Sequence, residues 1–314
     1  MMEAAHDQIE HVDEVIAGLR DPIKHLPCKL LYDAKGAELF EAITEVDDYY
    51  LTRAEHALLR ARLPEIATRV GAAARVIEPG SGAGKKTRML LSALDRPASY
   101  VAIDVAEDQL ADTASTLARL YPGLEITPVL GDYTQPLVIP PASVSVGTTL
   151  VFFPGSTIGN FEPDAARCFL KKMRAHAGAN AMLLLGADGN ANKDELLRAY
   201  DDSQGVTAAF DLNVLAHVNA THHADFDLER FMHRAVWNAS RSRIEMHLVS
   251  KQRQTVHVGR ELIKFERGEP IVTEHCYKHS PAMLASILRD AGWALEETFV
   301  DAQQRMRLYL ARGV

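Results

Sequence analysis

The sequence predicts an α/β protein in which a parallel sheet with crossover helices is joined to a smaller α+β subdomain. Two patterns carry this prediction. From about Arg75, short apolar runs alternate with amphipathic stretches, as in repeated strand–helix–strand units. Between Gly189 and Tyr277 the alternation stops, and this segment is too long for a loop inside a compact sheet. The chain of 314 residues is therefore interpreted as a sheet domain carrying an inserted second part.

The first three strands of the sheet follow one another in order. The segment ARVIEPG has the β-branched core of a strand and ends in Glu78, Pro79 and Gly80. The next elements are expected to be a helix from about Lys86 to Leu94, a strand in SYVAIDV, a helix from Asp108 to Tyr121 and a strand in LEITPVL. This βαβαβ order is the one that builds a parallel sheet.

The rest of the sheet is predicted from the following segments. TTLVFFP is a fourth strand and leads into the loop that begins at Gly155. It is followed by a helix from Pro163 to Ala177, a strand in AMLLLGAD, a helix from Pro281 to Ala291 and the runs WALEETFV and RMRLYLA. The last two runs predict a terminal hairpin that closes the same sheet.

The remaining segments predict the second subdomain. AYDDSQGVTAAFDLNVLAHVN is helical, and IEMHLVS, TVHVG, ELIKFE and PIVTEH are extended segments of a mostly antiparallel sheet. The first 60 residues are helical and have no place in the parallel sheet, so they are assigned to the insertion. The predicted division is 61–189 with 278–314 for the sheet domain, and 1–60 with 190–277 for the subdomain.

Composition argues against several kinds of partner. Lys plus Arg number 34 and Asp plus Glu 42, and the net charge of −8 disfavours a nucleic-acid-binding surface. No apolar run approaches the roughly 20 residues that span a bilayer, and the N-terminus lacks a signal-peptide core, so a cytoplasmic location is expected. Cys28, Cys168 and Cys276 form no C-x-x-C pair and are expected to be free thiols. The 13 histidines show no zinc-type spacing, so no metal is expected.

A glycine-rich turn follows the first strand. Gly80, Gly82 and Gly84 precede a helix, and such a turn lets a ligand approach the backbone at a helix N-terminus. The turn lacks the G-K-[ST] of a phosphate-binding loop, and its spacing is G-x-G-x-G rather than G-x-G-x-x-G. Mere turn chemistry is the alternative interpretation of the glycines.

Acidic residues end each of the first three strands. Glu78 directly precedes the glycines, Asp104 ends the second strand, and Asp132 follows the third. An acid at the end of the second strand is the residue that accepts ribose hydroxyls in dinucleotide-binding folds. Asp132 stands where a nucleobase edge would lie. The set predicts a ligand that combines a ribose with an amino-acid tail.

Together, these residues resemble the S-adenosyl-L-methionine (SAM)-dependent methyltransferases with a Rossmann-like sheet, class I, and the terminal hairpin fits that fold. A nicotinamide-dependent dehydrogenase is the competing interpretation. It lacks support from the glycine spacing, and it does not predict the terminal hairpin.

A narrower resemblance covers nearly the whole chain. In the same order, the segments resemble the blocks of the histidine-specific methyltransferases of ergothioneine biosynthesis, which trimethylate the α-amino group of L-histidine to give hercynine. These segments are YDAKGAELFEAIT, DDYYLTRAE, EPGSGAGKKTR, FFPGSTIGNF, LLGADGNANK, AYDDSQGVTAAFDLNVL, RIEMHL and TEHCYKHS. The resemblance implies SAM as cofactor, L-histidine as small-molecule substrate and a subdomain that closes over that substrate.

The family's functional residues are carried over by matching motifs. The implied substrate residues are Tyr32, Phe40, Tyr49, Gly155, Thr157, Asn160, Tyr200, Met246, Glu274 and Cys276. The cofactor residues are Glu78, Gly80, Gly82, Lys86, Asp104, Asp132 and Tyr133. Among the substrate residues, Tyr32 and Asn160 are the ones expected to act on the reacting amine.

The resemblance also implies individual roles. Asn160 and Tyr200 match residues that bind the α-carboxylate and orient the amine. Tyr49 and Glu274 match those that hold the imidazole, with Met246 packed beside it. Aromatic surface from Tyr32 and Phe40 is expected to face the methylated amine.

The same residues also have simpler interpretations. Tyr49 fits a core aromatic, Met246 a core side chain, and Glu274 a solvent-facing acid on a strand. Cys276 stands where the family commonly has serine, and a thiol is the poorer hydrogen-bond partner.

Two functional alternatives therefore remain open. One is a related N-methyltransferase acting on another amine, such as tryptophan or a histidine derivative. The other is a non-catalytic nucleotide-binding module. The oligomeric state is open as well, with a monomer as the default expectation.

Overall fold

The computed structural model of the chain describes residues 14–314. Residues 14–20 are helical, and the α-helices that follow are α1 (Ala34–Glu45), α2 (Tyr50–Val70), α3 (Lys85–Ala93), α4 (Glu107–Leu120), α5 (Pro163–Ala177), α6 (Lys193–Tyr200), α7 (Val206–His222) and α8 (Pro281–Asp290). The strands are β1 (Arg75–Pro79), β2 (Ser99–Asp104), β3 (Glu125–Leu130), β4 (Thr149–Phe153), β5 (Ala181–Asp188), β6 (Phe231–Asn238), β7 (Arg243–Ser250), β8 (Gln254–Val258), β9 (Glu261–Phe265), β10 (Pro270–Tyr277), β11 (Trp293–Val300) and β12 (Met306–Gly313). Short 3₁₀ helices cover Cys28–Tyr32, Thr157–Asn160 and Leu228–Arg230.

Within the described chain, the strands build a seven-stranded sheet of order β11-β12-β5-β4-β1-β2-β3. Strands β1 to β5 pair in parallel with one another, and Ile77 at the centre of β1 lies level with Val101 and Val151. The terminal strand β12 pairs antiparallel with both β5 and β11. The predicted parallel order and the predicted terminal hairpin are both confirmed.

Helices cover both faces of this sheet. Successive side chains of a strand point to opposite faces, and β4 shows this with two adjacent buried phenylalanines. Phe152 belongs to a core with Leu59 of α2, whereas Phe153 belongs to a second core with Leu170 of α5 and Leu288 of α8. Because both faces are buried, the central strands are continuous apolar runs, so they could be predicted from the sequence.

The second part of the chain is built around antiparallel strands. A three-stranded sheet has the order β10-β7-β6, and β8 pairs with β9 as a separate hairpin. The stretch expected to be one helical region is divided into α6 and α7, because Asp202 accepts backbone hydrogen bonds from the turn that begins α7. Strand β6 was not among the extended segments expected from the sequence.

Compactness divides the described chain into two units, 50–191 with 277–314 and 14–49 with 192–276. They are called the sheet unit and the second unit below. Helix α2 lies wholly in the sheet unit, whereas the sequence-based division assigned residues 50–60 to the subdomain. The difference arises because α2 is continuous and buries Leu59 and Ile66 in the sheet's core. No helix among residues 14–314 is long and apolar enough to cross a membrane.

Candidate active site

The glycine turn joins β1 to α3 in the sheet unit. Gly80, Gly82 and Gly84 have φ of 70°, 50° and 66°, in the left-handed region that side chains other than glycine rarely adopt. The Gly82 N–H donates to Asp104 Oδ2 at 2.9 Å, and the Ala106 N–H donates to Oδ1 at 3.1 Å. The carboxylate of Asp104 therefore fixes the turn from the end of the neighbouring strand.

Glu78 lies at the end of β1, immediately before the turn. Its side chain is buried, and Oε2 accepts hydrogen bonds from the hydroxyls of Thr87 at 2.6 Å and Tyr100 at 2.7 Å. Burial raises the pKa of Glu78 to about 7, although these two hydrogen bonds oppose the shift. In this position the acid connects β1, β2 and the first turn of α3.

Asp132 and Tyr133 follow β3 at the same edge of the sheet. Asp132 Oδ1 accepts hydrogen bonds from the backbone and hydroxyl of Thr134, which closes a tight turn. The Tyr133 ring packs against Phe153 and Phe169, and a Cβ at Gly80 would lie 3.5 Å from its edge. Tyr133 and the glycine turn are thus close neighbours.

The loop after β4 carries Gly155, Thr157 and Asn160, three of the predicted substrate residues. Gly155 has φ of 84°, a backbone conformation that favours glycine, and a Cβ there would lie 3.3 Å from Lys86 Nζ. Ser156 is also left-handed, with φ of 60°, and its hydroxyl accepts a hydrogen bond from the Asp188 N–H at 2.9 Å. Such strained backbone is typical of functional loops.

Glu55 holds this loop and was not identified from the sequence. Its carboxylate is buried on α2, accepts the Gly155 N–H with both oxygens at 2.8 and 2.9 Å, and pairs with Lys86 Nζ at 2.5 Å. A Cβ at Gly186 would lie 1.9 Å from Glu55 Oε1, so glycine in β5 makes room for the acid. One carboxylate therefore fixes a predicted cofactor residue and a predicted substrate residue.

Asp188 is a second buried acid that the sequence analysis missed. It ends β5, and its Oδ2 accepts from Tyr50 Oη at 2.7 Å and pairs with Lys278 Nζ at 2.8 Å. The Asn190 N–H donates to Oδ1 at 3.0 Å. Since Lys278 and Asp188 are both buried, each charge depends on the other.

The second unit brings its aromatic substrate residues together. The Tyr32 and Phe40 rings meet edge to face at 5.6 Å between centroids, Phe40 lies 6.5 Å from Tyr49, and Tyr49 lies 6.2 Å from Tyr200. The Tyr200 hydroxyl is 2.8 Å from Cys276 Sγ. Phe210 of α7, which was not predicted, closes the group by packing on both Tyr32 and Phe40. We call these rings, with Cys276, the aromatic cluster.

Met246 and Glu274 lie on the neighbouring strands β7 and β10 of the second unit. Both side chains are buried, with exposed fractions of 2% and 8%. Burial does not fit the simpler interpretation of Glu274 as a solvent-facing acid, because buried carboxylates are found with partners. The hydroxyl oxygen of Thr273, the residue before Glu274, lies 3.1 Å from the Met246 carbonyl oxygen.

Comparison with known proteins identifies the family. The model of a family described as histidine-specific methyltransferase, SAM-dependent, matches residues 11–313. The chain belongs to this family. It is 42% identical over 284 residues to histidine N-alpha-methyltransferase of Mycobacterium tuberculosis, with 89% of this chain and 87% of that protein covered. The Mycolicibacterium smegmatis protein of the same name is 41% identical, with 95% and 93% covered.

A third relative comes from a fungus. Ergothioneine biosynthesis protein 1 of Neurospora crassa is 33% identical over 205 residues, which cover 64% of this chain and 23% of that protein. The expectations of a SAM-dependent methyltransferase and of its α/β fold are therefore confirmed.

The residues of the glycine turn fit the SAM of this methyltransferase family. A Cβ at Gly82 would meet nothing within 4 Å, so this backbone is open on its outer side. Each oxygen of the Asp104 carboxylate accepts one backbone N–H, and a carboxylate oxygen has capacity for a second donor. The remaining capacity suits the two hydroxyls of a ribose.

Proposed function

We propose that this methyltransferase transfers three methyl groups to the α-amino nitrogen of L-histidine and forms hercynine, a step of ergothioneine biosynthesis. The observation that carries the proposal is the match of the histidine-specific family over residues 11–313. The mycobacterial relatives, whose names state histidine Nα-methylation, support it over most of both chains. When bound, SAM supplies the methyl group from its sulfonium.

Methyl transfer to an amine demands position more than acid–base chemistry. A neutral amine carries the lone pair that attacks in line, so the protein's task is to bind and orient it. Asn160 ends the 3₁₀ helix that follows Gly155, and Glu55 anchors the start of that loop. We propose that Asn160 and Tyr200 bind the α-carboxylate and orient the amine, and that the Tyr32 hydroxyl faces the amine.

The aromatic cluster suits the product of repeated transfer. Each methyl group makes the amine bulkier, and the third leaves a permanent positive charge. Aromatic rings attract such a cation by about 0.5–2 kcal/mol. Phe40 is the half-buried ring at the centre of the cluster, in contact with Tyr32, Tyr49 and Phe210. We propose that Phe40 and Tyr32 form the wall that faces the methylated amine.

Selection of histidine is assigned to Glu274 and Tyr49. A buried carboxylate that accepts the imidazole N–H selects histidine over amino acids that cannot donate there, because those substrates do not form this hydrogen bond. Both residues are buried in the second unit, with exposed fractions of 8% each. Met246, on the strand next to Glu274, is proposed to pack beside the imidazole ring.

A related amine remains the second candidate substrate, and the observation that favours it is the pairing of Tyr200 with Cys276. The hydroxyl and the thiol lie 2.8 Å apart in a buried position. A thiol donates and accepts more weakly than the serine hydroxyl common in the family. Tyr200 therefore has a weaker hydrogen-bond partner here, and this changes how firmly its hydroxyl is held for binding the substrate carboxylate.

The decisive experiment is incubation of the protein with labelled SAM and each of the twenty amino acids, with products identified by mass. We expect label in histidine alone and a final product with three added methyl groups. A product with one or two methyl groups at saturating SAM contradicts formation of the betaine. Transfer to tryptophan in preference to histidine supports the second candidate. Equilibrium binding of S-adenosylhomocysteine without transfer to any amino acid supports the non-catalytic module.

A further inference from the structure

The second unit contains a buried histidine–aspartate pair that the proposed function does not use. His233 of β6 and Asp211 of α7 have side chains that are 1% and 0% exposed, and Nδ1 lies 2.6 Å from Oδ2. His233 occupies the inward face of β6, between the exposed Met232 and Arg234. A charged pair in a protein core is costly unless each of its polar atoms has a hydrogen-bond partner. The partners of His233 and Asp211 therefore indicate the role of the pair.

The contacts fix the protonation state of the pair. His233 Nε2 lies 2.8 Å from the Tyr200 carbonyl oxygen, which can only accept, so Nε2 carries a proton. Nδ1 faces a carboxylate, and the proton between them resides on the ring because imidazole is the stronger base. Burial lowers the pKa of His233, but the hydrogen bond and charge of Asp211 and the Tyr200 carbonyl together raise it above its ordinary value. Both contacts therefore favour an imidazolium, which donates from both ring nitrogens.

The pair connects the backbone segments that carry predicted substrate residues. Its first link is the Tyr200 carbonyl at the C-terminal end of α6, where a cation is favoured by the helix dipole. The second link is Thr273, whose hydroxyl donates to Asp211 Oδ1 at 2.5 Å and lies 3.1 Å from the Met246 carbonyl. Neighbouring side chains of a strand point to opposite faces, so Thr273 anchors β10 from one side while Glu274 points to the other.

We propose that the His233–Asp211 pair is a positioning device for the amino-acid substrate, which sets Tyr200 relative to Met246 and Glu274 without touching the substrate itself. The proposal rests on the proposed function, since the roles of these three residues in binding histidine come from there. The geometry that carries it is independent of that function. One salt bridge and two hydrogen bonds join the end of α6 to α7, β6 and β10 within a single unit.

Two variants separate positioning from simple stability. His233→Phe keeps an aromatic ring but releases the Tyr200 carbonyl, and Thr273→Val keeps the shape of Thr273 but removes its hydroxyl. We expect His233→Phe to raise the KM for histidine about tenfold and Thr273→Val about threefold, since one or two hydrogen bonds are lost. The affinity for S-adenosylhomocysteine, measured by calorimetry, should stay within about twofold of wild type. Thr273→Val provides the test if His233→Phe does not fold.

Asp211→Asn is the rescue variant. Its amide can donate to Nδ1 of a neutral His233 and accept from Thr273, while Nε2 still donates to Tyr200. We expect the KM for histidine to remain within about twofold of wild type. Nuclear magnetic resonance of the imidazole should show two protonated ring nitrogens at His233 in wild type and one in Asp211→Asn. A single protonated nitrogen in wild type overturns the imidazolium.

His257→Phe is the matched control. His257 Nδ1 lies 2.8 Å from Asp225 Oδ2 in the same unit, but both side chains are more than half exposed. Its removal should leave the KM for histidine unchanged. The proposal is overturned if the KM values of His233→Phe and Thr273→Val for histidine equal that of wild type. It is also overturned if the affinity for S-adenosylhomocysteine falls by the same factor as the KM for histidine rises. The assay of wild-type protein with the twenty amino acids tests the proposed function separately. If another amino acid is methylated, the variants are compared by their KM for that amino acid instead of histidine.

Discussion

The sheet unit and the second unit hold their predicted functional residues by different physical means. In the sheet unit, the backbone itself is the positioned group: Asp104 accepts from the N–H of Gly82, and Glu55 accepts from the N–H of Gly155. In the second unit, side chains position one another, as the rings of Phe40 and Tyr49 do within the aromatic cluster. The first arrangement relies on carboxylates that accept backbone N–H groups, and the aromatic cluster relies on ring edges.

This difference has consequences for mutation. Removing a carboxylate that accepts a backbone N–H and pairs with a lysine leaves several polar groups without partners. More than one contact is therefore lost. Removal of a ring from an aromatic cluster leaves mainly space, and the loss stays local. We therefore expect sheet-unit variants to change stability and cofactor affinity, and second-unit variants to change the kinetics of the amino-acid substrate.

Glu55→Ala should give the largest effect. It leaves the Lys86 amine without its carboxylate and the Gly155 N–H without its acceptor. Breaking a buried pair in this way costs about 3–5 kcal/mol in the free energy of unfolding. Denaturant unfolding measures this loss, and calorimetry should show weaker SAM binding because Lys86 is released.

Two further variants are controls for that experiment. Glu55→Gln keeps an oxygen for the Gly155 N–H but removes the charge, so its stability should lie between wild type and Glu55→Ala. Glu65→Ala, on the same helix, removes an exposed acid that pairs with Arg69 and should cost less than about 1 kcal/mol. Equal stabilities of Glu55→Ala and Glu65→Ala would show that Glu55 does not hold the loop.

Asp104→Ala is expected to be the next largest. The variant loses the acceptor proposed for the ribose hydroxyls as well as the acceptor of the Gly82 N–H. The affinity for SAM should fall by about 2–4 kcal/mol, the scale of truncating a charged hydrogen-bond partner. Calorimetry with SAM measures it, and Asp108→Ala, an exposed acid in the first turn of α4, is the control. Unchanged affinity in a folded Asp104→Ala would remove Asp104 from the cofactor site.

The sequence revealed the two kinds of arrangement unequally. Strand ends and glycine turns are local signals, so β1, the turn after it and Asp104 could be predicted from patterns alone. Glu55 could not, because its partner Gly155 is 100 residues away. Its only signal is a charge at a core-facing helix position beside Leu58 and Leu59. His233 could not be predicted either, because β6 was not expected from the sequence and its partner Asp211 is 22 residues away.

The second unit was predicted chiefly through family resemblance. Its strands are short and partly polar, and neither periodicity nor spacing indicated that Tyr32, Phe40 and Tyr49 would meet. The structure brings these rings together and adds Phe210, which no motif had singled out. Side-chain clusters formed by distant segments depend on tertiary packing, and packing leaves no local pattern in the sequence.

Glu274→Ala tests the second unit directly. If its carboxylate accepts the imidazole N–H, removal leaves that donor unpaired, and kcat/KM for histidine should fall about 5- to 150-fold. Glu274→Gln offers a neutral amide oxygen and should fall between wild type and Ala. Cofactor affinity should not change, in contrast to Asp104→Ala. If both variants methylate histidine as wild type does, Glu274 is a buried structural acid. The preference for histidine would then not be explained by Glu274.

Phe40→Ala should give the smallest effect and the most specific one. The ring lies half-buried at the centre of the aromatic cluster, and its attraction for a cation is worth about 0.5–2 kcal/mol. The first transfer acts on a small amine and should be slowed little, whereas the later transfers act on bulkier amines and only the third forms a permanent cation. Monomethyl and dimethyl histidine should therefore accumulate in a time course read by mass. Phe40→Leu keeps most of the apolar volume but has no π face. If the partly methylated products accumulate in both variants, the attraction of the ring for the cation is what favours the later transfers. If they accumulate only in Phe40→Ala, the packing of the side chain is responsible. Equal slowing of all three transfers would show that Phe40 does not face the growing quaternary amine.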